Sequence, residues 1–370
     1  MYSEPVGALS PGLFALWEEL HDADGGLSGP FLHPAYTRTA GRVRDDVEVG
    51  VITHEDGVAG FLPFQRSRFG VGGAVGSRLC DVAGACVKPD VPWSPEALVS
   101  GAGLRMLRLP GVPSSMRAFQ AFQHGGAAAP TLDLSDGFEA YRRQRIDSGS
   151  SMVRQIERKG RGLTRDLGPW RFEWHTEDDA VFDTLLSWKA AQRKETRTPN
   201  ILDLEWARAF VEGLRRIDDE GFAGVLSALW VGDTLAAAHF GIRTGRVLHY
   251  WIPAYNHELG RYSPGLLALM ELARAAADRG IQRIDLGSGE ERYKSRAASG
   301  SLDMAVASVS TNAGLRAVNH ALDHIRTWSR GSRIGALARA TGREVTRGSF
   351  RVQSALASTS LLSGSGSRAR

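Results

Sequence analysis

The 370-residue sequence contains only two cysteines, Cys80 and Cys86. Two cysteines are too few for a disulfide framework, and neither has partners for a zinc site. His320 and His324 lie four residues apart on a predicted helix, but no glutamate follows His320 and no third ligand is evident. We therefore expect no metal, no permanently bound cofactor and a reducing, cytoplasmic location.

Long apolar runs and a strong charge of one sign are also missing. No stretch reaches the roughly 20 apolar residues that span a bilayer, because Glu271 and Arg274 interrupt the best candidate. The start MYSEPVGALSPGLFALW lacks a basic region and a small-residue cleavage site, so we expect no signal peptide. A formal net charge of +4 suits an anionic small ligand but is too weak to indicate DNA binding.

Motifs of several enzyme classes are absent. The sequence has no G-x-x-x-x-G-K-[ST] loop, no G-x-S-x-G elbow and no G-x-G-x-x-G between a strand and a helix. The glycine-rich stretch at residues 70–76 lacks a following helix and is interpreted as a loop. With 42% hydrophobic and 23% charged residues, the composition predicts a globular protein with a substantial core.

Residues 1–135 form the first predicted unit. A helix is expected near residues 8–23, two alternating strands flank the hairpin signal Glu55-Asp56-Gly57, and strands are expected at LRMLRLPG and APTLDLS. Residues 136–168 follow as a basic connecting helix outside the core. Its arginines are interpreted either as a contact to an anionic partner or as a solvated helix face whose long stems cover apolar surface.

Residues 169–312 form the second predicted unit, with the order β-α-α-β-β-β-α-β-(short α)-β. Hairpin signals at Gly232-Asp233 and Thr244-Gly245 join three strands, and a long helix then connects the third strand to IQRIDLG. A strand–helix–strand crossover requires parallel strands, so the sequence predicts a mixed α/β sheet. A helical extension at 313–345 and a disordered tail at 346–370 complete the predicted organisation.

The segment NHELGRYSPGLLALMELARAAADRGIQRIDLG places Gly, Arg and Ser-Pro-Gly at the start of that long helix. Ser263 is a candidate N-cap and Pro264 occupies the first turn, where its missing N–H is not needed. The amides of Gly265, Leu266 and Leu267 should then lack intrahelical partners and form an anion site. Arg261 could add a guanidinium, and Pro253 in the preceding strand indicates a broken pairing.

We predict that this helix start binds a diphosphate, such as the one at one end of coenzyme A. Its predicted residues are Gly260, Arg261, Tyr262, Ser263, Gly265 and Leu266.

The order of elements over residues 170–310 resembles the GNAT acyltransferase fold. More narrowly, GRYSPGLLALMELARAAADRGIQRIDLGSGEERYKSRAAS resembles the GNAT-type family annotated in bacterial cellulose and exopolysaccharide biosynthesis. That family is related to the FemAB peptidyltransferases, which carry two GNAT-like halves. LPFQRSRFG and CDVAGACVKPD extend the resemblance over residues 25–135, so two GNAT-like halves in tandem are expected.

The polar loop after IQRIDLG is where the chemistry is expected, because ligands bind at the carboxyl ends of parallel strands. The resemblance implies that Tyr293 protonates the leaving thiolate, although a buried aromatic with a satisfied hydroxyl would look the same. Glu290 could be a base or a surface carboxylate. His239 could accept a proton or belong to the core. Asp285 and Lys294 are candidates for acceptor binding, with a solvent-facing lysine as the alternative.

The sequence therefore predicts an acyl-CoA-dependent N-acyltransferase. The resemblance implies that its acceptor is an amine of an amino sugar or glycan destined for a polysaccharide. Polysaccharide synthesis machinery is an implied partner, and a peripheral position at the inner face of the membrane is compatible with it. Two alternatives stay open, an aminoacyl-tRNA-dependent FemAB-like peptidyltransferase and a non-catalytic partner of a polysaccharide synthase.

Overall fold

The computed structural model describes residues 1–23, 29–289 and 291–312. Glu290, the predicted helical extension at 313–345 and the predicted tail at 346–370 lie outside the described residues. The strands are β1 (Tyr2–Pro5), β2 (Val47–His54), β3 (Gly57–Arg66), β4 (Val71–Gly73), β5 (Cys86–Val87), β6 (Met106–Pro113), β7 (Gln123–Asp133), β8 (Trp170–Glu173), β9 (Phe222–Val231), β10 (Thr234–Thr244), β11 (Val247–Tyr255), β12 (Arg283–Asp285) and β13 (Gly300–Val309). The α-helices are α1 (Pro11–Ala23), α2 (Pro34–Gly41), α3 (Pro95–Gly101), α4 (Phe138–Asp147), α5 (Met152–Leu167), α6 (Asp179–Glu195), α7 (Glu205–Arg215), α8 (Pro264–Ala277) and α9 (Arg292–Ala297).

All described strands belong to one mixed sheet. Its order is β1-β2-β3-β4-β6-β13-β7-β12-β11-β10-β9-β8, and β5 pairs with β3 off this path. The predicted hairpins are present, because β2 pairs with β3 and β10 pairs with β9 and β11, all antiparallel. The predicted crossover is also present, since β11 and β12 are parallel and joined through α8. The predicted mixed α/β sheet is confirmed.

The two halves of the chain exchange their last strands. We call β1–β7 with α1–α3 the N-terminal half and β8–β13 with α6–α9 the C-terminal half. Strand β7 pairs with β12 of the C-terminal half, and β13 pairs with β6 of the N-terminal half. The two exchanged strands also pair with each other along residues 123–131 and 300–307. The sequence pattern predicted these strands but not this exchange, which joins both halves into one sheet.

The segment predicted as one connecting helix outside the core is instead two helices, α4 and α5. On α5 the apolar side chains of Met152, Val153, Ile156 and Leu163 are buried, and they belong to the same core cluster as α8 and β12. Burying each such side chain stabilises the fold by roughly 2 kcal/mol. The arginines therefore occupy the outer face of a helix that packs on the C-terminal half, and the prediction of a linker outside the core was wrong.

A second core lies under the N-terminal half and extends beneath the C-terminal half. It contains Trp17, Tyr36 and Phe61 from the N-terminal half, together with Phe182 of α6 and Phe210 of α7. Helix α7 thus contacts α2 of the N-terminal half, and α6 packs on β10 and β11.

Candidate active site

Strands β11 and β12 separate after a short paired stretch. They pair only through residues 247–249 and 283–285, and the last pair is His249 with Asp285. Strand β11 continues for six more residues to Tyr255, and in the described part of the chain no strand pairs with this edge beyond His249. The chain after β12 turns away through Gly287, whose φ is 70°. The predicted broken pairing is therefore present, and it opens a gap at the carboxyl ends of two parallel strands.

A cavity of about 360 Å³, which we call the helix-mouth cavity, follows this gap to the start of α8. Strand β11 contributes one wall, helix α6 a second, and the loop before α8 a third. The wall of β11 ends at Tyr255, whose ring would lie 3.3 Å from a Cβ at Gly265, so glycine allows the helix start to approach the strand. The cavity is lined by Trp188, Lys189, Gln192, Tyr250, Pro253, Ala254, Tyr255, His257, Gly260, Ser263, Gly265, Leu266, Glu291 and Tyr293.

The free amides at the start of α8 are fewer than the sequence predicted. The amides of Leu266 and Leu267 both donate to the Ser263 carbonyl, at 3.0 and 3.1 Å. Within the described residues, the amide of Gly265 has no such backbone acceptor. Ser263 itself adopts a left-handed conformation with φ 55°, and its side chain makes no capping hydrogen bond. The predicted row of three donors is therefore reduced to Gly265, and Ser263 is not a side-chain N-cap.

Lys159 of α5, which sequence reasoning did not single out, contacts the start of α8. Lys159 Nζ donates to the Ser263 hydroxyl at 2.6 Å, and Ser263 lines the cavity. Arg261 is exposed and lies over the ring of Tyr262, with its guanidinium carbon 4.5 Å from the ring centroid. The Tyr262 hydroxyl in turn donates to Asp166 on α5 at 2.9 Å. Helix α5 therefore places a second cation at the start of α8, and the role of Arg261 stays a prediction.

A second cavity of about 200 Å³, the inter-half cavity, adjoins the first. The two cavities share Lys189, Tyr250, Pro253, Glu291 and Tyr293, so they meet where β11 leaves β12. The N-terminal half contributes Arg78, Leu79 and Asp81, and the C-terminal half contributes the rest. Its remaining lining residues are Arg193, Pro199, Asn200, Ile201, Leu202, Trp251, Ile252, Leu286, Ser288 and Lys294.

Two tyrosines lie where the cavities meet. Tyr293 is half-buried at the start of α9, and its pKa is raised because burial and the nearby Glu291 both disfavour the phenolate. Tyr250 is buried on β11, and burial raises its pKa as well. Both hydroxyls therefore carry their protons at neutral pH, which is the state a proton donor requires.

His239 lies behind these tyrosines, outside both linings. Its ring is 2% exposed and stacks on Tyr250 with centroids 4.4 Å apart. Burial, together with the nearby His249, lowers the pKa of His239 to about 3. A group with such a low pKa is a poor proton acceptor near pH 7, so the geometry disagrees with the predicted role as a base.

A hydrogen bond between two side chains links the halves at the point where the strands separate. His249 Nε2 lies 2.9 Å from Asp81 Oδ2, and these residues are 168 positions apart. A Cβ at Gly287 would be 2.5 Å from the same carboxylate oxygen, so a larger residue in this turn would displace the Asp81 side chain. Asp81 keeps 31% of its side chain exposed and lines the inter-half cavity. The N-terminal half thus delivers a carboxylate to the gap in the C-terminal half.

Of the two predicted acceptor-binding residues, Lys294 lines a cavity and Asp285 does not. Asp285 is 4% exposed, accepts from Arg283 Nε at 2.7 Å and does not line either cavity. Lys294 lines the inter-half cavity, and Nζ lies 3.2 Å from the Ser288 carbonyl and 3.1 Å from Glu291. The structure therefore separates Asp285 from the site. It also makes Lys294 a buried residue that holds the loop, not a solvent-facing one.

Sequence reasoning did not single out Lys189, Tyr250 and Asp81. Lys189 lies on α6, lines both cavities and donates to the Pro253 carbonyl at 3.3 Å. Burial and the nearby Arg193 lower its pKa to about 8. The available signal for Tyr250 was its position just before Pro253 on the strand predicted to break its pairing. For the other two, no local pattern distinguishes them from surface residues.

A larger cavity of about 540 Å³ lies on the other side of α8, between α5 and α8. It is lined by apolar residues such as Ile156, Trp170 and Met270 and by charged residues that include four arginines, and it shares no residue with the two cavities above. Within residues 1–23, 29–289 and 291–312, no cluster of His, Cys, Asp and Glu is suited to hold a metal ion. No helix in these same ranges is long and apolar enough to cross a membrane.

Comparison with protein families identifies the segment that carries this site. Residues 150–295 match the family model described as an acetyltransferase (GNAT) domain. This range contains α5, the separated strands, the start of α8 and Tyr293, but neither exchanged strand. No curated protein matches the sequence.

Solved structures share the architecture of most of the chain. FemX covers 86% of this chain and 99% of its own, at 9% identity and a TM-score of 0.56. A conserved protein of unknown function from Bacteroides thetaiotaomicron covers 80% and 97%, at 11% identity and a TM-score of 0.54. The C-terminal domain of a putative lysylphosphatidylglycerol synthetase from Agrobacterium fabrum covers 83% and 95%, at 13% identity and a TM-score of 0.52. Such low identities show a shared fold only. The GNAT-like fold is thus confirmed, and with the GNAT acetyltransferase domain at residues 150–295 the chain is an acyltransferase.

Proposed function

We propose that this acyltransferase moves an acyl group from an acyl-CoA to an amine, and that the amine belongs to an amino sugar used in polysaccharide synthesis. The observation that carries the donor assignment is the gap between β11 and β12, which runs from the start of α8 to Tyr293. The acceptor class rests on the sequence resemblance alone. We place the reaction on the cytoplasmic side, where the donor is available, at or near polysaccharide synthesis machinery.

The helix mouth is suited to the diphosphate of the donor. Gly265 and Ser263 line one end of the helix-mouth cavity, and the Lys159 ammonium donates to the Ser263 hydroxyl there. Their partial and full positive charges, together with the dipole of α8, favour a phosphate oxygen. The pantetheine arm can then follow the unpaired edge of β11, whose free backbone groups suit its amides. This direction brings the thioester to Tyr250 and Tyr293.

The acceptor amine enters from the inter-half cavity in this proposal. Its nitrogen attacks the thioester carbonyl carbon, a C–N bond forms, and the tetrahedral intermediate expels the thiolate as the C–S bond breaks. Tyr293, which is protonated at neutral pH, donates a proton to the thiolate sulfur. The attacking nitrogen loses a proton to the Asp81 carboxylate, which His249 holds at the gap. Glu290 remains a proposed base from the sequence.

Matched substitutions on α5 and its contact loop test the donor site. Lys159→Ala should weaken acetyl-CoA binding by roughly tenfold or more, since a charge-assisted hydrogen bond is worth about 1.5–3 kcal/mol. Arg158→Ala removes the same charge from an exposed neighbour on the same helix and should leave affinity almost unchanged. Arg261→Ala should have an intermediate effect because its guanidinium already contacts Tyr262. Equal effects of Lys159→Ala and Arg158→Ala would refute the assignment of Lys159.

Thermal-shift titration of the whole protein distinguishes the donor classes. A ligand that binds only the folded state raises the apparent Tm. We expect stabilisation by acetyl-CoA or a longer acyl-CoA, followed by acyl transfer to an amino sugar in a mass-spectrometric assay. Stabilisation by aminoacyl-tRNA instead would indicate a peptidyltransferase. Binding of acyl-CoA without transfer to any amine would indicate a non-catalytic partner.

A further inference from the structure

The inter-half cavity carries more positive than negative side chains. Arg78, Lys189, Arg193 and Lys294 line it, against the carboxylates of Asp81 and Glu291. Both carboxylates are already engaged, Asp81 with His249 at 2.9 Å and Glu291 with Lys294 at 3.1 Å. Among the described residues, no carboxylate pairs with the remaining three cations. Among the described side chains around this polar recess of about 200 Å³, four are cationic and two are anionic.

These cations come close enough to repel each other. Lys189 and Arg193 are four residues apart on α6 and therefore lie on one face of the helix. The pKa of Lys189 falls to about 8 because of burial first, and then because of Arg193 and Lys294. Like charges in a partly buried recess destabilise the unliganded protein, and a bound anion would reverse this penalty. Such perturbed groups in a cleft are typical of functional sites.

We infer that the acceptor is a phosphorylated amine, whose phosphate binds Arg78, Lys189 and Arg193 while its amine faces Asp81. The guanidinium groups of Arg78 and Arg193 offer forked donors that match phosphate oxygens, and Lys189 adds a compact charge. One forked donor comes from each half, so the phosphate bridges them. The inference rests on the proposed function, because it names the substrate class of the same site.

Binding assays on the whole protein test the inference independently of the donor. Isothermal titration compares glucosamine with glucosamine 6-phosphate, and we expect the phosphorylated amine to bind at least about tenfold more tightly. Equal affinity would overturn the inference. Acetyl-CoA is titrated separately, so its failure to bind would refute the proposed donor while the phosphate result is still interpretable.

Substitutions locate the phosphate. Arg193→Gln and Arg78→Gln should each reduce the preference for the phosphorylated amine by roughly tenfold, and should leave acetyl-CoA affinity unchanged. Lys194→Gln is the matched control, because Lys194 is exposed on the same helix and lines neither cavity. A preference that survives both arginine substitutions would place the phosphate elsewhere and overturn the inference.

The protonation of Lys189 provides a second signature. A bound phosphate raises the pKa of Lys189, so affinity should be constant from about pH 7, where the phosphate is doubly ionised, to about pH 8, and decline as the pH rises further. Lys189→Arg keeps the charge at all pH values and should abolish this decline, whereas an unchanged decline would count against the lysine. The other titratable and charged groups facing Lys189 are Arg193 on α6, Tyr250 on β11, Glu291, Tyr293 and Lys294 around α9, and Arg78 and Asp81 from the N-terminal half.

A transfer assay identifies the kind of molecule that carries the phosphate. A nucleoside-diphosphate amino sugar and a lipid-diphosphate amino sugar share this chemistry, and each is offered with acetyl-CoA in a transfer assay. Acylation of either, at a rate well above that of the free amino sugar, supports the inference and identifies the source. Acylation of the free amino sugar at the same rate as both overturns it.

Discussion

The two halves of the chain repeat one arrangement of elements but treat its central gap differently. In the C-terminal half, β11 continues six residues past its last pair with β12, and the gap is open. In the N-terminal half, β4 and β6 are also parallel and pair through three residues, but β4 ends at Gly73. The following segment fills the gap, since the Ala83 amide donates to the Gly111 carbonyl at 3.0 Å.

The segment that fills this gap packs closely against the backbone at Gly111 and the side chain of Met116. A Cβ at Gly111, whose φ is 74°, would approach the Asp81 carbonyl oxygen to 2.2 Å, and a Cβ at Gly84 would lie 2.4 Å from the Met116 methyl. The segment that closes the gap is also the one that carries Asp81 to the inter-half cavity. The C-terminal half thus has an open gap between β11 and β12. In the N-terminal half the equivalent space is filled by the segment that places Asp81 in the inter-half cavity.

The exchange of β7 and β13 should make the halves inseparable, which is the largest effect we expect. Cutting the chain between β7 and α4 leaves β6 without its partner β13 in the first fragment. It leaves β12 without its partner β7 in the second fragment. We expect neither fragment alone to give a cooperative unfolding transition, while the two produced together restore one. Circular dichroism during thermal unfolding is the measurement, and a fragment that folds alone would show that the exchange is dispensable.

In each half, burial lowers the pKa of one histidine, which predicts how stability depends on pH. Burial lowers the pKa of His33 in the N-terminal half to about 4, and that of His239 in the C-terminal half to about 3. The unfolded chain takes up these protons near pH 6.5, before the folded protein does. Stability should therefore be full above pH 6.5 and fall below it. By pH 4 each histidine should remove about 3 kcal/mol from the free energy of unfolding.

Urea unfolding between pH 4.5 and 7 measures this dependence. His33→Asn and His239→Gln should each reduce the slope of stability against pH by about one proton. Because the sheet is shared, both substitutions should act on the same transition. If each instead altered only one of two separate transitions, the halves would unfold independently.

The sequence predicted correctly those features whose structure depends on residues that are close together in the chain. The turns around Gly57, Gly232 and Gly245, the crossover helix and the break near Pro253 all follow from short patterns. Contacts between distant residues could not be predicted in this way. The Lys159–Ser263 hydrogen bond joins residues 104 positions apart, and strand patterns alone do not reveal which strand each will pair with.

The helix start shows a second reason for error. The sequence predicted Ser263 as a side-chain cap, but the left-handed backbone at φ 55° directs its hydroxyl to Lys159 instead. The Leu266 and Leu267 amides then use the Ser263 carbonyl. The cap residue was recognised by type, whereas its conformation depends on α5, which the sequence had assigned to a linker.

Tyr293→Phe and Tyr36→Phe make the same chemical change in the two halves with opposite consequences. We expect Tyr293→Phe to lower kcat roughly 100-fold with acyl-CoA affinity almost unchanged, because it removes a proton donor. Tyr36 is fully buried, and its hydroxyl donates to the Val75 carbonyl at 3.3 Å. Its replacement should lower stability by about 1 kcal/mol and leave kcat unaffected. Steady-state kinetics with urea unfolding separates the two, and full activity of Tyr293→Phe would remove this tyrosine from the mechanism.

The smallest effects should appear at the serines that precede α3 and α8. Ser94 caps α3, accepting from the Ala97 amide at 3.2 Å, so Ser94→Ala should lower stability by about 1 kcal/mol. Ser263 makes no cap and holds a left-handed conformation that costs most residues roughly 1 kcal/mol, which glycine avoids. Ser263→Gly should therefore leave stability nearly unchanged, because relief of strain offsets the lost bond to Lys159. It should still weaken acetyl-CoA binding, measured by titration. A stability loss equal to that of Ser94→Ala would mean that Ser263 is an ordinary helix cap, and that the C-terminal half closes its helix start just as the N-terminal half does.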